Sequence, residues 1–240
     1  GNGKKAFFEL SRNNRFMYAF WLLGPFFLLI ERTPGDLYIS IVSLAFLIRS
    51  LKMRDGKWLK FFWVKSVFIF WGFCLLSAAM SPNPSNAIGE AFIWIRFPLF
   101  AMATTFWLGA DKRLLLLMFL STAAAILLMC GILLAELAIE GFKSRLSWPY
   151  DDLVPGNYLA KVGLPVIVFS TSLFLSLKGP KSLLSGGFCL FAISMTMITG
   201  ERINFLITLF SAALVIFVWE TNWIKRFFYM IFISVIPISV

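Results

Sequence analysis

The sequence has no histidine, only 12 Asp and Glu in 240 residues, and a charged fraction of 14%. With no histidine, no Gly-rich phosphate loop and no cysteine cluster, metal and cofactor chemistry have no support in it, and none is expected. Its three cysteines, Cys74, Cys130 and Cys189, lie far apart within apolar runs and read as small buried hydrophobes. A soluble domain carries roughly 25% charged residues, so the shortage of charge excludes an ordinary soluble domain. No internal repeat or low-complexity tract stands out. Leu22 to Ile30 is not followed by a small-residue cleavage site, which argues against a cleavable signal peptide. What is present is apolar: 60% of residues are hydrophobic, with 28 Phe and nine Trp, and the mean hydropathy is +0.84. Such a composition suits lipid-facing and interfacial positions. The chain opens Gly-Asn-Gly without Met and stops inside an apolar run at Val240, so trimming at both ends is expected.

A helix needs about 20 apolar residues to span the hydrocarbon core. Nine runs qualify or come close, and they predict an all-α, polytopic bundle forming a single transmembrane domain over residues 1–240. They are Phe16 to Ile30, Leu37 to Ile48, Phe61 to Met80, Ala91 to Ala110, Leu114 to Ile139, Tyr158 to Leu177, Ser182 to Ile198, Ile203 to Trp219, and Phe227 onward. Residues Glu31 to Asp36 and Ser81 to Asn86 read as loops, and Lys65 as a side chain snorkelling toward the basic loop Arg49 to Lys60. Trp94, Trp107, Trp148 and Tyr158 read as an interfacial aromatic belt.

The net charge of +10 follows this topology. With the N-terminus in the cytoplasm, every Lys and Arg falls inside except Arg32, Arg96, Lys143, Arg145, Lys161 and Arg202. Of the acids, only Glu9, Asp55, Asp111 and Glu220 fall inside. The excess of positive charge is thus a topology signal, and nucleic acid is a poor partner. The same orientation puts Ser81 to Glu90, Glu140 to Asn157 and the turn Thr199-Gly200-Glu201-Arg202 on one outer face, and a segment following Val240 is expected to begin there too.

Three cations lie at or just below that face. Arg202 is at the mouth of the eighth run, Lys161 less than a turn into the sixth, and Arg96 roughly 9 Å into the fourth at 1.5 Å per residue. An ionisable group inside a span is costly and faces a partner or a polar cavity. Each is either a structural pair or a snorkelling side chain, or else part of an anion site. Glu90 or Glu136 would pair Arg96, and Glu201 or Asp152 would pair Arg202. Three cations on three helices near one leaflet would suit a diphosphate, with Arg the better group because its planar fork grips two oxygens. The adjacent Asp151 and Asp152 read as a solvated loop pair, with a general base or a cation site as the alternative.

Thr199-Gly200-Glu201-Arg202-Ile203-Asn204-Phe205 at the start of an eighth helix resembles the signature of the O-antigen ligase and O-antigen polymerase superfamily. So do Pro155-Gly156-Asn157-Tyr158-Leu159-Ala160 opening the sixth helix and Leu76 to Pro84 running into an outer loop upstream of Arg96. The resemblance implies a bacterial inner-membrane glycosyltransferase, metal-independent, whose donor is a glycan on undecaprenyl diphosphate at the periplasmic face. It implies transfer to lipid A-core by a ligase, in lipopolysaccharide biosynthesis, or to a second lipid-linked glycan by a polymerase. Arg202 matches the family's Arg at this helix mouth, which implies a catalytic role in gripping the diphosphate; Arg96 and Lys161 follow as further diphosphate ligands, with Glu201 and Asp152 in support. The ligases also use a His and an Arg from a large periplasmic loop after the ninth helix, and neither that loop nor a His occurs in this sequence. A transporter or flippase for an anionic lipid or solute is the rival from another class, although the paired half-helices or internal repeat it would predict are not found. A membrane subunit with only a packing role is the third reading.

Overall fold

A computed structural model describes residues 12–30, 32–141, 146–150 and 155–238. The described residues are all-helical, without a strand. They divide into two compact units, residues 1–118 and 119–240.

In the first unit the leading apolar run is two helices, α1 (Arg12–Leu22) and α2 (Gly24–Ile30), with a turn at Leu23. Pro25 explains the break, since a proline has no N–H for the carbonyl four residues back, here that of Trp21. The Tyr38 hydroxyl donates to that carbonyl at 3.0 Å instead. Tyr38 belongs to α3 (Arg32–Lys52), which begins earlier than the sequence suggests. Most of the expected loop at 31–36 is helix, because Thr33-Pro34 falls in a first turn, where a missing N–H costs nothing. Gly24 lies so close to the Tyr38 ring that an added Cβ would collide with it.

A 3₁₀ turn (Lys57–Lys60) leads to α4 (Phe62–Ala79). The next span opens with α5 (Pro84–Trp94), whose Pro84 takes the favoured first position. It continues as α6 (Arg96–Ala103) and closes in a π-helical turn (Thr104–Leu108), with Gly109 N–H reaching back to the Thr104 carbonyl at 2.7 Å. Pro98 leaves the Trp94 carbonyl without a helical donor, which accounts for the interruption at Ile95. The core of this unit gathers Trp21, Tyr38, Val42, Phe46, Met102 and Leu108. Trp107, expected in an interfacial belt, is a core residue here: it is buried, its carbonyl accepts from the Tyr18 hydroxyl, and the Arg49 guanidinium lies over its ring at 5.4 Å.

Helix α7 (Lys112–Glu140) carries the chain into the second unit. There follow α8 (Pro155–Ser176), α9 (Pro180–Ile198), α10 (Arg202–Trp219) and α11 (Trp223–Ile238). Helix α8 is central, packing along both α9 and α10. Phe119 of α7 stacks on Phe169 of α8 with ring centroids 4.4 Å apart, and Gly163 of α8 admits Ile126 of α7. Cys130 and Cys189 are buried as expected, whereas Cys74 is only half-buried, and all three are free thiols.

Seven helical stretches among the described residues are long and apolar enough to cross a membrane: Arg32–Lys52, Phe62–Ala79, Pro84–Leu108, Lys112–Glu140, Pro155–Ser176, Pro180–Ile198 and Arg202–Trp219. Their number and length are consistent with a multi-pass membrane protein. The first and last apolar runs form shorter helices, Arg15–Ile30 with its break and Trp223–Ile238.

Candidate functional site

The Thr199–Arg202 turn forms because Gly200 ends α9 in the left-handed region, at φ 79°. Its N–H bonds the Met197 carbonyl at 2.9 Å, and Thr199 N–H bonds that of Met195 at 3.2 Å. Three residues, 199–201, therefore suffice to reverse the chain into α10. Below the turn is a seam of buried hydroxyls. Thr199 Oγ1 donates to the Thr196 carbonyl, Thr196 Oγ1 to that of Ile193, and Thr208 Oγ1 to that of Phe205. Thr196 and Thr208 also meet across the hairpin at 3.2 Å. Two hydroxyl protons serve three contacts there, so one bond is always forgone.

The turn is seated on the start of α8. Pro155 and Gly156 are buried, and a Cβ on Gly156 would come within 2.2 Å of Thr199 Oγ1 and 3.1 Å of Glu201 Cβ. The two polar motifs that stand out in the sequence, Pro155–Tyr158 and Thr199–Arg202, are therefore in direct contact. Only a residue without a side chain allows that approach.

Glu201 takes the N-cap position of α10, with one carboxylate oxygen accepting from the Asn204 side-chain amide. The other oxygen, Oε1, is buried without a hydrogen-bond partner. The expected Glu201–Arg202 pair does not form: the carboxylate bonds Asn204, one turn along, through one oxygen, and its buried second oxygen does not meet the guanidinium. Arg202 is exposed, with no hydrogen-bond or ion-pair partner among the described residues. It stands at the first position of α10, where the helix already carries about half a positive charge. The cation and the helix end repel each other, and an anion bound there would relieve both.

Lys161 is also exposed and without a partner among the described residues. Five residues past Gly156, it is about 140° around α8 from the contact with the turn, so it does not share the face that carries the seat. Asp151 and Asp152, the latter expected in support of Arg202, lie outside the described residues.

Arg96 has a different situation. It pairs with Asp36 through Nη2 at 3.0 Å, and Asp36 also meets Arg32 at 3.8 Å. The partners expected for it, Glu90 or Glu136, are replaced by a residue that the sequence places in a loop and the structure places in α3. Its depth differs too: the helical stretch begins at Pro84, so Arg96 lies about 18 Å along it. Ser43 Oγ donates to the Arg96 carbonyl at 2.8 Å, and the guanidinium lies over the Phe97 ring. Its Nε is buried and unpaired. Much of the cation's need for a counter-charge is thus met within its own unit.

Glu136 is fully buried and anchors the segment before α8. It accepts from Ser147 N–H at 2.8 Å, Ser147 Oγ at 3.1 Å and Trp148 N–H at 2.9 Å. A lone acid near the end of a long apolar run was the only sign of it in the sequence. Tyr150 in that segment stacks on Tyr158 of α8 at 4.8 Å, and burial, then the neighbouring Tyr158, push its phenol up to about 12. Among the described residues no three His, Cys, Asp or Glu side chains are grouped to hold a metal ion. No protein-family model, curated protein or solved structure matches the chain.

Proposed function

We propose that this chain is the membrane part of a metal-independent glycosyltransferase of the O-antigen ligase or polymerase type. It spans the bacterial inner membrane nine times with its N-terminus in the cytoplasm, the two shorter apolar helices completing the count. Its donor is a glycan on undecaprenyl diphosphate, met at the periplasmic face. The acceptor is a hydroxyl of lipid A-core for a ligase, or of a second lipid-linked glycan for a polymerase. That hydroxyl attacks the anomeric carbon, the bond from that carbon to the diphosphate breaks, and the hydroxyl proton goes to a base. Charge grows on the departing diphosphate, so a cation fixed beside it lowers the barrier.

The observation that carries this reading is Arg202: an exposed, unpaired guanidinium at a helix N-terminus, held by a turn that is itself seated on Gly156. Lys161 is retained as a second, weaker diphosphate ligand, approaching from another side of α8. Arg96 is the least suited of the three, since binding a diphosphate would mean sharing or losing Asp36.

The test is glycan transfer by the full-length protein from an undecaprenyl-diphosphate-linked glycan, with lipid A-core or a second lipid-linked unit as acceptor. Arg202→Ala is expected to lose at least about 10²-fold in rate, the scale of a lost oxyanion donor. Arg202→Lys keeps the charge without the fork and falls between the two. Transfer to lipid A-core identifies a ligase, and chain growth a polymerase. Undiminished transfer by Arg202→Ala would remove the arginine from the mechanism. Binding of the lipid with no transfer to either acceptor would favour a transporter of anionic lipid.

A further inference from the structure

At the end of the second unit away from Thr199, the last turns of α8, the first turns of α9 and the start of α11 leave an open groove of about 420 Å³. That volume is within the range of small-molecule sites, about 300–1,000 Å³. Phe174, Leu183, Leu190, Phe228 and Tyr229 line it, and Leu183 and Phe228 are largely exposed, so it opens sideways. Gly187 forms part of its floor, and a Cβ there would meet nothing within 4 Å. The groove deepens into a small void of about 30 Å³ beside Thr171 and Cys189. Its walls are braced: Ser182 Oγ donates to the Phe174 carbonyl at 2.7 Å, and Phe174 meets Tyr229 edge-on at 5.4 Å. The Tyr229 hydroxyl has no hydrogen-bond partner among the described residues.

Two lysines adjoin the rim: Lys178 is in the α8–α9 turn, and Lys225 precedes Tyr229 by one helical turn; Lys181, about 140–200° around α9 from Leu183, Gly186 and Leu190, does not share their face. All three are exposed, and their ammonium groups have no partner among the described residues. Arg226 is already engaged, donating to the Glu220 carbonyl and lying over Phe217. Glu220 is the one acid from residue 172 to 234 other than Glu201 at the opposite end.

We infer that this groove binds an anionic phospholipid of the leaflet at that end, one acyl chain lying between Phe174, Leu190 and Tyr229 and the phosphate meeting Lys178 and Lys225. An apolar trough with a positive rim matches the two halves of such a lipid, and each basic residue near a membrane surface is worth about fivefold in attraction to anionic lipid. A zwitterionic lipid would fill the trough and gain little from the rim. The inference requires only that the helices lie in a bilayer. It stands apart from the proposed diphosphate site, at the far end of α8, and fails or survives separately from it.

The experiment uses the full-length protein in nanodiscs of phosphatidylcholine with a minor share of phosphatidylglycerol. Lipids that stay bound after extraction into mild detergent are counted by mass spectrometry. Wild type is expected to be enriched in phosphatidylglycerol. Gly187→Leu fills open space rather than packed core, and should lose bound lipid of both kinds. The double change Lys178→Glu and Lys225→Glu touches only exposed side chains; it should lower the phosphatidylglycerol preference more than tenfold and leave phosphatidylcholine in the groove. Thermal unfolding confirms that each variant is folded, and the charge variant decides the matter should Gly187→Leu misfold. Equal retention of the two lipids by wild type overturns the inference, as does an unchanged preference in the charge variant. So does cross-linking from Leu183 that captures a protein segment, whether from a second copy or from this chain, in place of lipid.

Discussion

Gly156 offers a test of the seat beneath Arg202, because two effects of opposite sign compete at that position. Replacing a helical glycine by alanine ordinarily stabilises a helix by about 0.5–1 kcal/mol. Here the new Cβ would approach Thr199 Oγ1 to 2.2 Å, Glu201 Cβ to 3.1 Å and Thr199 Cβ to 3.2 Å. Thr199 is fully buried with its hydroxyl committed to the Thr196 carbonyl, so turning the side chain aside does not relieve the crowding, and the turn must shift. Overpacking of this kind costs about 1–3 kcal/mol. The clash outweighs propensity, the more so because Gly156 is in the first turn, where propensity counts least. At about 2–4 °C per kcal/mol for a chain of this size, Gly156→Ala should lower the melting temperature in detergent by several degrees. Gly131→Ala, in the middle of α7 with nothing within 4 Å of the added Cβ, should leave it unchanged or raise it. Adding Thr199→Ala should recover part of the loss, so the double variant is less damaged than the two single changes summed. If the proposed function holds, glycan transfer should fall further than stability does, since displacing a catalytic group by 1 Å costs about 10²-fold. A melting temperature for Gly156→Ala equal to that of Gly131→Ala would refute the contact, and additive behaviour of the pair would show that Thr199 is not what the glycine accommodates.

Asp36→Ala strands the Arg96 guanidinium and should cost about 1–3 kcal/mol in thermal unfolding; adding Arg96→Met should restore much of it, because an apolar pair replaces a partly buried ionic one at little cost. Glu136→Gln turns one of the two acceptor oxygens into an NH₂ donor, so the Ser147 and Trp148 N–H groups are left with a single acceptor between them; faster protease cleavage within 146–150 is the expected readout, with no change counting against the anchor. The raised Tyr150 phenol means that the folded state holds this proton more tightly than the unfolded one. Its share of stability is therefore complete below about pH 10 and lost between about 10 and 12, and Tyr150→Phe should flatten the melting profile across that window.

The long apolar runs made the helical class and most of the membrane-length helices legible, because a run of about 20 apolar residues is what a helix needs to reach across a bilayer. Boundaries were less legible where proline was read only as a loop former. Pro34 and Pro84 instead fall in the first turns of helices, and so Asp36, assigned to a loop, became the partner of Arg96. The Thr199–Arg202 turn was legible because a glycine between two long runs has few other uses. Its contact with Gly156 was not, since pairing 43 residues apart in sequence leaves no periodicity to read. Trp107 misled for a related reason: an aromatic near a helix end suits an interface or a core equally well, and only the packing of Tyr18 and Arg49 around it distinguishes them.

The seat formed by Gly156 also dictates an order of assembly. Helices α8 and α9 are joined by three residues, 177–179, as α9 and α10 are by 199–201, so both pairings are local and fast. Because α8 comes first in the chain and packs along α9, its opening turn can stand beside the end of α9 before α10 is added. Gly156 is then in place when the turn at 199–201 closes, and Arg202 arrives last, onto a surface already built. Cysteine cross-linking between Gly156 and Thr199 in chains halted before and after α10 would show whether the contact forms in that order.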